Sequence, residues 1–414
     1  MGSVIPRRRW VFFIDPIEES SYPVTETGYA MLYRAWCRAK VDGDEVYVVY
    51  PSTPLSFTPH RTFASPRSVV LGRRLIGFSA SPYEHFRSQR DTYDAAADVG
   101  SLPCHEEGPP TELILEEADV IVFRQETGEP VHRRRLLRAL AKLESRVLVY
   151  LSPRLALDPE FGSKVLPGRI APECVPVSWS TTDLQGSRYE KVDAALEFLR
   201  GPLKRTRTAI VKPAFGDNGE GITVLGVSPL DPYLRPRNAR DHLIELLQRH
   251  GEVVVQEYVP SVRAPRNVEG ALDQVPLDRC DFGEIRFLLI DGTVPRDRAG
   301  CPILVARRTP TPTSLLADSG ISYPTTLSDA ERRFLDRVGQ AYLRYGIHFG
   351  GGDLIRTANP ERPFVFTDAA RAVCGHAVVT GALNGEPYLI VDQVLDSMER
   401  HWIRRVAERR TRVA

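Results

Sequence analysis

Lysine is scarce in this chain of 414 residues: of its 54 lysines and arginines only six are lysine, namely Lys40, Lys142, Lys164, Lys191, Lys204 and Lys212. In so arginine-rich a composition, a lysine is less readily explained as surface filler. Excess charge of one sign is also missing. The 54 basic residues face 53 acidic ones, a net charge of +1, which argues against a non-specific nucleic-acid binder. Cysteines are few and scattered, at Cys37, Cys104, Cys174, Cys280, Cys301 and Cys374. They form no Cys-x-x-Cys pair and have no histidine at zinc-ligand spacing, which excludes a disulfide scaffold or a zinc ribbon and reads as reduced cytosolic thiols. No long hydrophobic run opens the chain: Trp10 to Ile14 is a five-residue run ended by Asp15-Pro16. It is too short for a signal-peptide core or a membrane span, so a cytoplasmic protein with no membrane partner is expected. A myristoylation start fails as well, because Pro6 stands where Ser or Thr is needed.

What is present is ordinary for a globular protein, with 42% hydrophobic and 26% charged residues and length for roughly two to three domains. The apolar run at 10–14, a helical pattern through Tyr29, Leu32, Tyr33 and Trp36, and a strand-like 46–50 predict a βαβ opening. Residues 51–117, rich in Pro, Ser, Arg and Thr, read as loops around a small sheet. Strand, helix and strand recur over 119–123, 131–143 and 147–151, which favours a parallel sheet. Beyond about 169 the pattern changes. A helix at 192–199 leads to the strand Ala209-Ile210-Val211, then Lys212, then a glycine loop over 213–221 and a strand at 222–225. Further strands are expected at 253–255, 285–290, 303–305, 352–355 and 364–366, with helices at 242–250, 328–345 and from 390 to about 406. There is no internal repeat and no heptad register.

A glycine loop between two strands, with a lysine at the mouth of the first, can fold over polyphosphate. Glycines let backbone N–H groups approach oxygen closely, and the ammonium neutralises charge. The loop Gly216-Asp217-Asn218-Gly219-Glu220-Gly221 is not a Walker A loop, since it lacks Gly-Lys-Ser/Thr and leads to a strand instead of a helix. Downstream come Gln256-Glu257-Tyr258 after a strand, Glu284-Ile285-Arg286 opening RFLLIDG, then Arg307, GGGD ending in Asp353, and Phe366-Thr367-Asp368.

This order resembles the ATP-grasp superfamily, and within it the bacterial glutathione synthetase family. The likeness runs patchily from FFIDPIEE and Ala30-Met31-Leu32 through ADVIVFR to AIVKPAFGDNGEGI, VVVQEYVP, RFLLIDG and GGGDLI. It implies an α/β chain of the ATP-grasp fold, with an N-terminal parallel α/β domain (1–168), a central lid (169–259) and a C-terminal subdomain carrying the metal (260–414). ATP would lie between two antiparallel sheets. On this resemblance Lys164 and Lys212 contact the nucleotide, with Lys212 reaching its phosphates, and Gly216, Asn218, Gly219 and Gly221 form the loop over them. Gln256, Glu257 and Tyr258 form the hinge whose backbone reads adenine, and Glu284 lies at the ribose or phosphate rim. Arg286 faces the transferred phosphoryl group, and Arg307 lies on the strand entering the substrate loop. Asp353 and Asp368 are the metal carboxylates for Mg²⁺, while Arg124, Asp15 and Arg371 are candidates for the substrate pocket. A homodimer or tetramer is also implied.

The chain departs from that pattern in two places. Where the family has Glu-x-Asn, the residues are Asp368-Ala369-Ala370, so an oxygen ligand is replaced by a methyl group, and Arg371 next to it could supply charge instead. The glycine-rich substrate loop is replaced by Thr309-Pro310-Thr311-Pro312-Thr313-Ser314. The expectation is therefore an ATP-dependent carboxylate-amine ligase that joins amino acids or short or γ-linked peptides, in specialised metabolism. The alternatives are glutathione synthetase proper, a nucleotide-binding pseudoenzyme, and an ATP-grasp kinase.

Overall fold

The structure, a computed structural model, describes residues 7–14, 24–49, 68–70, 106–107, 117–124, 130–144, 147–150, 152–158, 161, 164–203, 208–214, 222–226, 239–259, 282–309, 321–324, 327–357, 359–370, 386 and 388–413. They fall in two compact units: one drawn from 1–157, 295–301 and 372–414, the other from 158–294 and 302–371.

The first unit is built on the predicted βαβ opening. Strand β1 (Arg9–Ile14), helix α1 (Val24–Asp42) and strand β2 (Glu45–Val49) put β1 and β2 in parallel register. Strand β3 (Ser68–Val70) and strand β4 (Glu106–Glu107) add antiparallel edges. Strand β5 (Val120–Arg124), helix α2 (Pro130–Leu143), strand β6 (Leu148–Tyr150) and the short helix α3 (Pro153–Leu157) complete it. The sheet order is β4-β3-β2-β1-β5-β6. Consecutive residues Trp10, Val11, Phe12 and Phe13 are all buried, as a central parallel strand covered on both faces requires. The C-terminal helix, Leu389–Val413, packs on α1. Arg34 makes a two-pronged bond to Asp392 at 2.9 and 2.8 Å. The buried Arg8 joins Asp44 (2.6 Å), Asp42 (2.9 Å) and Glu399 (2.7 Å) and lies over the rings of Trp10 and Trp402. Among the described residues no helix is long and apolar enough to cross a membrane.

The second unit starts with helix α4 (Leu166–Ile170), strand β7 (Ser178–Ser180), helix α5 (Arg188–Arg200), strand β8 (Thr208–Pro213), strand β9 (Thr223–Gly226), helix α6 (Ala239–His250) and strand β10 (Val253–Glu257). Its four strands form an antiparallel sheet in the order β7-β10-β8-β9. Ser187 and Glu190 cap the start of α5 reciprocally. Val192, Leu243, Leu246, Leu247, Val211 and Val255 bury the sheet's helix-facing side.

The chain continues through strand β11 (Phe282–Ile290), strand β12 (Val305–Thr309), strand β13 (Ile321–Pro324), helix α7 (Asp329–Arg344), strand β14 (Phe349–Arg356) and strand β15 (Phe364–Ala370). These strands make a second antiparallel sheet, β13-β12-β11-β14-β15. Helix α7 lies against it through Phe334, which meets the rings of Phe364 and Phe366, and through the Tyr342 hydroxyl, which donates to the Gly351 carbonyl at 2.7 Å. Its first turn is capped by Ser328 and Glu331, and the Glu331 carboxylate also takes a bidentate bond from Arg356. That pairing and the cap hold the buried carboxyl below its usual range against the opposing effect of burial.

At Gly339 the helix meets the turn after β11, where Gly292 has φ +74°. A Cβ at Gly339 would collide with the Gly292 carbonyl. Gly339→Ala is therefore expected to lose about 3 kcal/mol or more, because backbone on both sides has to move. Gly168→Ala, where a methyl meets nothing within 4 Å, is the control and should leave the denaturant midpoint unchanged or slightly raised.

Candidate functional site

The site lies within the second unit and begins with strand alternation. In β8 the residues Ala209 and Val211 join the helix-covered core, so Lys212 points to the opposite face. It is nonetheless only 8% exposed. Its Nζ donates to the Thr367 carbonyl of β15 at 3.4 Å, linking the two antiparallel sheets. Thr367 is available because the β14–β15 register shifts: Asp353 pairs with Asp368, the next pair is Leu354 with Phe366, and Thr367 is the extra residue of a bulge. Its own hydroxyl donates to the Asp353 carbonyl at 3.3 Å.

Lys164 reaches the same place from the chain just before α4. Its ammonium pairs with the Asp368 carboxylate, and its backbone N–H lies 3.5 Å from the Ala214 carbonyl, just past β8. On β11, Arg286 stands opposite Asp353 of β14 in register and grips it with two parallel bonds, Nε to Oδ1 at 2.8 Å and a terminal nitrogen to Oδ2 at 2.7 Å. Glu284, two residues earlier and so on the same face, has its carboxylate 3.7 Å from the Arg286 guanidinium. The run of glycines before Asp353 has a packing cause. A Cβ at Gly352 would collide with the Asp368 carbonyl and the Phe366 ring, so a side chain there would push β15 away from β14.

Three cations, Lys164, Lys212 and Arg286, thus share a site with three carboxylates, Glu284, Asp353 and Asp368. Lys212 feels Lys164 and all three carboxylates. Burial, and then the neighbouring Lys164 charge, push its pKa down to about 8, while Asp368, Glu284 and Asp353 pull the other way. The donor chemistry also suits a hard divalent ion: Asp353 and Asp368 stand opposite each other in the β14–β15 register, and oxygen is what Mg²⁺ selects. Ala370 offers no ligand atom.

The four-stranded sheet supplies the other expected region. Gln256 is buried near the end of β10, its side-chain amide 3.5 Å from the Ser178 hydroxyl. Tyr258 lies past the last ladder pair of the strand. The Glu257 carboxylate accepts from the Val177 backbone N–H at 3.1 Å and from Arg362 at 3.2 Å. Arg307 stands opposite Glu284 in the β11–β12 register. Arg124 closes β5 in the other unit. Asp15, Arg371, Gly216, Asn218, Gly219 and Gly221 lie outside the described residues. Sequence reasoning missed two residues that the structure brings in, Thr367 and Arg362. The first is marked by a bulge and the second by a turn, neither of which leaves a periodic signal.

No family model matches the sequence, and no curated protein matches it. Solved structures do match. D-cycloserine synthetase DcsG aligns with a TM-score of 0.53 at 14% identity, covering 94% of this chain and 99% of that one. VanG D-Ala:D-Ser ligase from Enterococcus faecalis aligns at 0.54 and 12%, covering 95% and 100%. D-alanyl-alanine synthetase A from Vibrio cholerae O1 biovar eltor aligns at 0.51 and 9%, covering 97% and 100%. At these identities the likeness establishes the fold. The parallel sheet followed by two antiparallel sheets is the ATP-grasp fold, that of the D-Ala-D-Ala ligases.

Proposed function

We propose that this chain is an ATP-dependent carboxylate-amine ligase whose nucleotide lies between the two antiparallel sheets of the second unit. One observation carries the reading: Lys164, Lys212 and Arg286 converge with Glu284, Asp353 and Asp368 on the facing side of those sheets. In a largely buried site a cationic trio of this kind suits a polyphosphate, and the carboxylate pair suits the cation that accompanies it. Asp353 and Asp368 would hold Mg²⁺, which when bound neutralises phosphate charge.

The chain's own groups have definable tasks. Lys212 and Lys164 bind phosphate oxygens, and Arg286 meets charge that develops on the transferred group. Arg307, on the strand beside β11, is assigned to the acceptor side. A substrate carboxylate takes the terminal phosphoryl group of ATP and ADP leaves; an amine then attacks the acyl phosphate, giving an amide with loss of phosphate and a proton. Exclusion of water protects the activated acyl group. Amino acids or short peptides, γ-linked ones included, are the substrate class. The proteins similar in fold are named as D-cycloserine synthetase, D-alanyl-alanine synthetase and D-Ala:D-Ser ligase, which favours amino-acid substrates over glutathione synthesis proper. The described cysteines Cys37, Cys174 and Cys301 are free thiols, as suits a cytoplasmic enzyme.

The test is release of ADP and phosphate with Mg-ATP and pooled amino acids and dipeptides, followed by mass spectrometry. A pool should stimulate release, and the product mass should equal two substrates minus water. Bound ATP with no stimulating pool would overturn the ligase reading in favour of a pseudoenzyme. A phosphorylated product without free phosphate would make the protein a kinase.

A further inference from the structure

Arg362 belongs to neither the cation trio nor the carboxylate set, yet it is held in place with unusual thoroughness. It lies in the turn between β14 and β15. Thr357 N–H donates to the Pro363 carbonyl at 2.9 Å, Arg362 N–H to the Asn359 carbonyl at 3.1 Å, and Glu361 N–H to the Asn359 side chain at 2.9 Å. The Thr357 hydroxyl donates to the Arg362 carbonyl. From this tied turn the guanidinium reaches out of its own sheet. One terminal nitrogen donates to the Glu257 carboxylate at 3.2 Å, and the other to the Val175 carbonyl at 3.0 Å.

The same Glu257 oxygen accepts the Val177 N–H at 3.1 Å, and the Glu257 N–H donates to the Val177 carbonyl at 2.7 Å. One carboxylate therefore fastens three pieces of chain: the end of β10, the segment leading into β7, and the β14–β15 turn. Glu257 is 18% exposed at its side chain and Arg362 34%, so the pair is partly shielded from water and stronger than an exposed ion pair.

We propose that Arg362 is a positioning residue for the nucleotide base, acting through Glu257. The inference rests on the nucleotide reading above. The lysine end of the cleft is joined across the two sheets by Lys212 to Thr367 and Lys164 to Asp368. The Arg362–Glu257 bond joins the same two sheets where the chain leaves β10 for Tyr258 and Val259. It therefore sets where the backbone of 257–259 stands relative to the phosphate-binding groups, a spacing that a base must match and a bare polyphosphate need not. The Glu257 carboxylate, committed to Arg362 and Val177, serves as a strut, and the backbone beside it is what meets the base.

Two ligands separate these roles. ATP uses both ends of the cleft, whereas inorganic tripolyphosphate, which has no base, uses only the lysine end. Calorimetric titrations of the full chain with each, in the presence of Mg²⁺, are expected to show Arg362→Ala and Glu257→Gln each weakening ATP about tenfold, the scale of one charge-assisted bond, with tripolyphosphate affinity unchanged. The double variant should lose no more than either single one, and Arg362→Lys should recover only part of the loss, since an ammonium cannot span both acceptors as a planar fork does. Unchanged ATP affinity in Arg362→Ala and Glu257→Gln would overturn the proposal. So would an equal fall for ATP and tripolyphosphate, which would mark general loosening of the unit. A parent protein that binds neither ligand would instead overturn the nucleotide reading itself.

Discussion

Replacing Lys212 with methionine should weaken nucleotide binding by the full chain by about two orders of magnitude while leaving it folded. The ammonium sits in a nearly closed site with three carboxylates and two other cations. Removing it turns a balanced set of three cations and three carboxylates net negative, which opposes a triphosphate. An effect of about 100-fold or more on ATP affinity is expected, corresponding to loss of a desolvated charged contact. Methionine fills the space of the lysine stem and removes a charge that burial disfavours, so thermal stability should hold or rise. Titration of ATP into the Lys212→Met protein, beside a melting curve, checks both halves. ATP binding at parental strength would remove Lys212 from the site.

The same residue predicts a pH signature. Its folded-state pKa of about 8 lies below the ordinary 10.5. Between those values the unfolded chain holds a proton on this lysine that the folded chain has released, so this group's contribution to stability rises with pH over that window. On the proposed nucleotide reading, phosphate binding requires the ammonium. Parental ATP affinity should therefore decline as pH rises through about 8, with a limiting slope of about tenfold per unit for one proton. Affinity and this part of the stability move in opposite directions, which separates loss of charge from loss of fold. The methionine protein should show no such step.

How much of this was legible in the sequence depended on whether a feature had a period. The βαβ opening, the strand before Lys212 and the α7 helix all follow from alternation or helical spacing. Lys212 itself stood out because lysines are rare and this one ends a strand before a glycine loop. Strand β7 is three residues long, too short for any period to show. Strand β12 starts at Val305, two residues after the expected start, because Ile303 and Leu304 are buried without joining the ladder. That Thr367 offers its carbonyl to Lys212 depends on a register shift, and register is a property of pairing. That the last helix packs in the first unit depends on which apolar face it meets, a matter on which chain order is silent. Arg362 sits in Asn359-Pro360-Glu361-Arg362-Pro363, which reads as a plain turn until its partners 105 and 187 residues away are seen.

Asp353→Asn should cost both stability and metal dependence, and a second variant can part the two. Asp353 is 3% exposed, and its carboxylate takes both prongs of Arg286. Asparagine keeps the outline but turns one acceptor into a donor that faces another donor and leaves the guanidinium without its counter-charge. Breaking a shielded pair from one side in this way costs about 3 kcal/mol or more, measurable as a lower urea midpoint with an unchanged slope. If Asp353 also holds Mg²⁺ with Asp368, the gain in ATP affinity on adding Mg²⁺ should shrink toward none. The double variant Arg286→Met with Asp353→Leu replaces both charges by apolar groups of similar size, which restores much of the lost stability. It should still fail to bind Mg-ATP productively, because recovering the packing does not recover the charges. Were the double variant to turn ATP over like the parent, Arg286 and Asp353 would be a structural pair only, and the proposed phosphate site would have to be sought among other residues. A stable protein whose ATP affinity no longer responds to Mg²⁺ would instead place this pair at the metal end of the site.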